Sequence, residues 1–152
     1  MPRSEKPRKK KSAPVSTRAI FIPRKELDVI QAFFVDVQLI VEEKLPRGTC
    51  DMQDVQKMRD TMNFASMLML AGHCFDSEKF ERDSGAAWKE FVEAFHSFYG
   101  RVLARGVYAA TGDELNALRD GFEAAGTIIK EELDHEPKWC LKVWDYMKQL
   151  TQ

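Results

Sequence analysis

Apolar side chains in this chain recur every three or four residues and almost nowhere every two. Leu27, Ile30, Phe34, Val37, Val41 and Leu45 step in this way, which keeps all six on one stripe of an α-helix. Val29, Phe33 and Ile40 widen that stripe to roughly half the circumference at about 100° per residue. A stripe so wide predicts contact with more than one neighbouring helix. Pro46 and Gly48 predict the end of this first helix. The exception to the pattern is "AIFIP" (Ala19–Pro23), read as an extended lead-in because the residue before proline avoids helical angles.

Four more helices follow by the same reasoning. Thr49 or Asp51 can cap the second, with Asp54 placed to favour the positive end of the helix dipole. Met52, Val55, Met58, Met62, Ala65 and Met69 form its stripe, and Phe64 and Leu68 fall roughly opposite. Its last two turns are apolar nearly all round, which predicts burial on both sides up to a stop at Gly72. The third runs from Ser77 to Arg105, with Gly106 just beyond; Phe80, Trp88, Phe91, Phe95, Phe98 and Val102 share a face, and "DSGA" (Asp83–Ala86) is a candidate interruption. Thr111 and Glu114 have the spacing of a capping box at the start of the fourth, whose stripe is Leu115, Leu118, Phe122, Ala125, Ile129 and Leu133. Pro137 suits the first turn of a fifth, followed by Trp139, Val143, Met147 and Leu150. The fold expected is all-α: a bundle of four to five helices formed by residues 19–152 as one domain.

Charge separates the N-terminal segment from this bundle. Residues 1–18 hold Arg3, Lys6, Arg8, Lys9, Lys10, Lys11 and Arg18 against Glu5 alone, a net of +6; a net charge of −1 for the whole chain leaves −7 for the rest. With almost no large apolar side chain to bury, residues 1–18 are expected to be a disordered basic arm. No apolar run approaches the roughly 20 residues of a membrane-spanning helix, and the basic start lacks the apolar stretch of a secretory signal. Cys50, Cys74 and Cys140 are odd in number, far apart and without a C-x-x-C pair. A cytoplasmic chain with reduced thiols is expected.

Candidate chemistry is sparse. Glu93–His96 and Glu132–His135 have the E-x-x-H spacing that di-iron bundles use. From the aromatic stripe of the third helix, however, His96 lies roughly 130° away and Glu93 roughly 170°. Glu132 is near the edge of its stripe and His135 roughly 120° off it. Two surface pairs are expected rather than a metal core. His73 and Cys74 are adjacent potential ligands, but a structural zinc site needs four ligands in spaced pairs and no second pair exists. There is no G-x-S-x-G elbow and no glycine-rich phosphate loop. Neither a cofactor, a metal nor a catalytic residue is expected.

Two features carry interaction chemistry instead. Arg8, Lys9, Lys10 and Lys11 can pair with phosphates and give a salt-dependent, sequence-independent nucleic-acid contact, although no aromatic is interleaved with them and no helix has a basic face. Five of the seven methionines (Met52, Met58, Met62, Met67 and Met69) fall in the second helix. Thioethers adapt to differently shaped partners, so Met58, Met62, Met67 and Met69 are the candidate partner-binding set; filling the core is the competing and favoured reading, since helical spacing alone predicts it.

"GTCDMQDVQKMRDTMNFASMLM" (Gly48–Met69) and "TGDELNALRDGFEAAGTII" (Thr111–Ile129), with Asn63 and the T-G-D-E helix start, resemble uncharacterised short helical proteins encoded by proteobacterial phages and plasmids, over roughly residues 20–135. A basic arm is common there too. The resemblance implies a mobile-element accessory protein acting on a host protein and implies no catalytic residue. The function expected is therefore a non-enzymatic helical interaction protein, an adaptor or inhibitor with a protein partner. The alternative is a nucleic-acid-associated regulator acting through the arm.

Overall fold

A computed structural model of the chain describes residues 24–71 and 77–150. The expected basic arm, "AIFIP", Gly72, His73 and Cys74 lie outside the described residues. The rest is an all-α bundle, as the stepping predicts. Its helices are α1 (Arg24–Leu39), α2 (Met52–Ala71), α3 (Ser77–Arg105), α4 (Gly112–His135) and α5 (Pro137–Leu150).

Pro46 does not end the first helix at once. A π-helical turn (Ile40–Lys44) and a closing turn (Leu45–Arg47) extend it. Proline has no N–H to donate and its ring crowds the carbonyl four residues back. The wider turn just before it, in which the Leu45 N–H donates to Ile40 O, makes room. Gly48, at φ 65°, then stops the helix. Gly48 N–H donates to Leu45 O and Thr49 N–H to Lys44 O, the paired bonds of a glycine-terminated helix end.

α2 starts on a reciprocal cap. The Asp54 N–H donates to Asp51 Oδ1 at 2.9 Å and the Asp51 N–H to Asp54 Oδ2 at 3.1 Å. Asp51 is thus the cap, and Asp54 takes the role glutamate has in the usual box. At α4 the expected box is present: the Glu114 N–H donates to Thr111 Oγ1, and the Thr111 N–H donates to Glu114 Oε1. The "DSGA" stretch does not interrupt α3, which runs unbroken for 29 residues. A Cβ at Gly85 would meet only the Glu81 side chain at contact distance, so nothing in the packing breaks the helix there.

α4 lies at the centre and packs against each of the other four helices. The core around it has two halves. The first joins Val37, Ile40, Val41 and Leu45 to Val55, Met58 and Met62 of α2, to Phe91, Phe95, Phe98 and Val102 of α3, and to Leu118 and Phe122 of α4. The second joins Ile30 to Phe64, Ala65 and Leu68 of α2, to Ala125, Ile128 and Ile129 of α4, and to Cys140, Leu141, Val143, Trp144 and Met147 of α5. Two expected positions are corrected: Val29 and Leu150, placed on core stripes by spacing, are more than half exposed. Each sits on a margin of its helix that no neighbour covers among the described residues.

α3 and α4 approach closely because position 121 has no side chain. A Cβ there would lie 2.0 Å from Cγ of Phe91. The Phe91 ring therefore lies against the α4 backbone and edge-on to Phe122, with centroids 4.9 Å apart. α1 runs antiparallel to α2, since Phe34 stacks on Phe64 and Asp36 pairs with Lys57. It also runs antiparallel to α4, along a groove shared by Gln31 to Gln38 and Glu123 to Asp134. The start of α1, the ends of α2 and α4, and the start of α5 consequently share one end of the bundle.

Candidate docking surface between α2 and α5

The methionines of α2 divide between interior and rim. Met58 and Met62 are 0% and 5% exposed, inside the first core half. They are core residues in this fold, and the partner-binding expectation for them is corrected: their stripe faces α3 and α4. Met67 and Met69 are half-buried against the second half. The expectation that the end of α2 is covered on both sides is also corrected. Phe64 and Leu68 are fully buried, but Leu70 is 89% exposed.

Met67 and Leu70 line an open depression of about 390 Å³ with Trp139, Lys142, Val143 and Tyr146 of α5. α5 presents these four because residues three and four apart share a helix face, while its Cys140, Trp144 and Met147 point inward. Behind the depression, Trp144 meets Phe33 and Phe64 edge-on at 5.1 and 5.2 Å. This aromatic group fixes α5 against α1 and α2. Lys148 Nζ lies 5.0 Å from the centre of the Trp144 ring. Among the lining residues, Lys142 and Tyr146 carry polar ends, whereas the Trp139 indole nitrogen is buried. Such a surface can bury an apolar side chain and orient an acidic neighbour toward Lys142.

Sequence reasoning named Met67, Trp139 and Val143 but passed over Leu70 and Lys142. A signal was present: at about 100° per residue, Met67 and Leu70 both lie well away from the middle of the main stripe and from the Phe64–Leu68 side.

The E-x-x-H pairs do not converge. Glu93 and His96 are exposed on α3. Glu132 is fully buried in α4, deeper than its angle predicts, whereas His135 is exposed and its Nδ1 lies 2.8 Å from Glu131 O. Among the described residues no group of three or more His, Cys, Asp or Glu side chains could hold a metal ion. Cys50 and Cys140 are buried in different core halves. Burial, with Asp54 nearby, pushes the Cys50 thiol up to about 11.

Ionic contacts gather in the other half of the bundle. Lys44 Nζ donates to both Asp54 oxygens at 3.1 and 3.2 Å, tying the π turn to α2. Arg101 forms a two-pronged pair with Glu114, Nη1 to Oε2 at 2.7 Å and Nη2 to Oε1, and Nη2 also donates to Ala109 O. The Arg101 guanidinium holds the Glu114 carboxyl down to about 2. Arg59 reaches from α2 to the Tyr99 hydroxyl of α3. These contacts fasten helices together.

Among the described residues no helix is long and apolar enough to cross a membrane. Comparison with protein-family models, curated proteins and solved structures gave no match.

Proposed function

We propose that this chain is a non-enzymatic interaction protein that docks a protein partner in the α2–α5 depression. The observation that carries the reading is Leu70, a large apolar side chain 89% exposed beside a depression lined by Met67, Trp139 and Val143. Apolar surface left open next to aromatic anchors is the usual core of a docking site. The partner is an amphipathic helix or loop with apolar side chains for the depression and a carboxylate for Lys142. The resemblance to phage- and plasmid-encoded proteins supports a mobile-element accessory role, adaptor or inhibitor, acting on a host protein in the cytoplasm.

The test is a pull-down from proteobacterial lysate with the full chain and with the Leu70→Glu/Tyr146→Glu double variant. Both replaced side chains are mostly exposed, so the variant folds. The reading expects a protein retained by the wild type and lost from the variant. Equal retention, or retention by neither, counts against it.

A second reading rests on the charge split. The +6 of residues 1–18, with Arg8, Lys9, Lys10 and Lys11 in one run, supports a nucleic-acid-associated regulator. It expects gel-shift binding that disappears on truncation of residues 1–18 and falls steeply with salt. Binding that survives truncation counts against it.

A further inference from the structure

We propose that the basic N-terminal stretch, residues 1–18, docks on its own chain in the groove between α3 and α4. That groove has a volume of about 400 Å³, and its floor is Phe80, Ala124 and Ile128. Its rim carries the exposed carboxylates Asp120, Glu123 and Glu131, and no cation lines it. The depression between α2 and α5 and the groove between α1 and α4 each contain a lysine, Lys142 and Lys130. An apolar floor inside an anionic rim suits a segment in which Arg8 to Lys11 is followed by Ala13, Pro14 and Val15.

The connection to the body allows it. α1 begins at Arg24, at the end of the bundle where α4 finishes. Twelve residues lie between Lys11 and Arg24, and the thirteen steps from one to the other can span up to about 43 Å. Glu131 to Asp120 covers only about 16 Å along α4. Tethering makes the contact intramolecular, with an effective concentration in the millimolar range. The +6 and −7 charges attract over a Debye length of about 8 Å at physiological salt. The occupied groove shields the basic run from phosphates, so the same contact limits any nucleic-acid binding by it. The inference does not depend on the α2–α5 depression.

Carbodiimide cross-linking of the full chain, followed by peptide mapping, tests the proposal. Links within one chain from Lys6, Lys9, Lys10 and Lys11 should favour Asp120, Glu123 and Glu131 over the exposed Glu42, Glu90 and Asp145, by about fivefold or more at low salt, and should vanish near 0.5 M salt where screening is nearly complete. Links spread evenly over the carboxylates, links only between chains, or no links would overturn it. Trypsin supplies a second readout. Cleavage after Arg8 to Lys11 should be several-fold faster in the Asp120→Asn/Glu123→Gln/Glu131→Gln variant than in the wild type, with the two rates converging at high salt. Equal rates at low salt would overturn the proposal. The three side chains are exposed, and circular dichroism verifies that the variant is folded.

Discussion

The two halves of the core solve the same packing problem with different boundaries. In the half built on Phe91, Phe95, Phe98 and Met58, these four side chains are buried and polar contacts tie the helices at the margin: Lys44 to Asp54, Arg59 to Tyr99, Arg101 to Glu114. In the half built on Phe64, Leu68 and Trp144, the interior is as well buried, but the margin at α2 and α5 stays apolar and open. Partly exposed ionic contacts contribute only modestly to stability, yet they fix helix ends and loops. Open apolar margin contributes little to stability and leaves surface for a partner. The first half is therefore closed by polar contacts, and the second is the end at which we propose that a partner docks.

The comparison breaks most readily in the first half. Phe98→Ala removes a fully buried ring and should lower stability by about 3–5 kcal/mol, read from denaturant unfolding. A loss under about 1 kcal/mol would mean that this half is loosely packed. Gly121→Ala comes next. Its Cβ would overlap Phe91, and overpacking of this kind costs roughly 2–3 kcal/mol. Phe91→Leu in the same chain should recover part of that loss, a non-additivity that a double-mutant cycle measures directly.

Glu114→Gln should cost about 2 kcal/mol at neutral pH and nothing near pH 2. The sign follows from linkage. The folded-state value, about 2, lies below the ordinary 4.5, so the stabilisation is full above about pH 4.5 and is lost as pH falls toward 2. An acid-unfolding series of wild type and variant should therefore converge at low pH. The smallest expected effect is at the docking end: Leu70→Glu should change stability by no more than about 0.5 kcal/mol, as surface substitutions do. A large loss there would return Leu70 to the core.

Sequence patterning made the helices legible because burial on one face imposes the three-and-four step directly. Phe91, Phe95 and Phe98 of α3, and Leu118, Phe122 and Ile129 of α4, are buried where that step puts them. Local chemistry made the Thr111–Glu114 cap legible, since both partners lie within one turn. What spacing could not show were contacts between helices. Lys44 and Asp54 are ten residues apart and meet across the turn that joins the π-helical segment to α2. The opening for the Phe91 ring at Gly121 exists only once α3 lies against α4. Leu70 was misread for a related reason: an all-round apolar helix end implies all-round neighbours, and α2 lacks one on the Leu70 side among the described residues. The partial division of the methionines, Met58 and Met62 inside and Met67 at the rim, likewise depends on where the neighbours stop.

Binding of an apolar fluorescent dye to the isolated full chain probes the difference between the two ends most directly. An open, solvent-facing depression at α2 and α5 predicts saturable binding by the wild type that Leu70→Glu/Tyr146→Glu abolishes, with unfolding temperature unchanged within about 2 °C. No binding by the wild type, or binding that the double variant retains in full, would contradict the assignment of that end to docking.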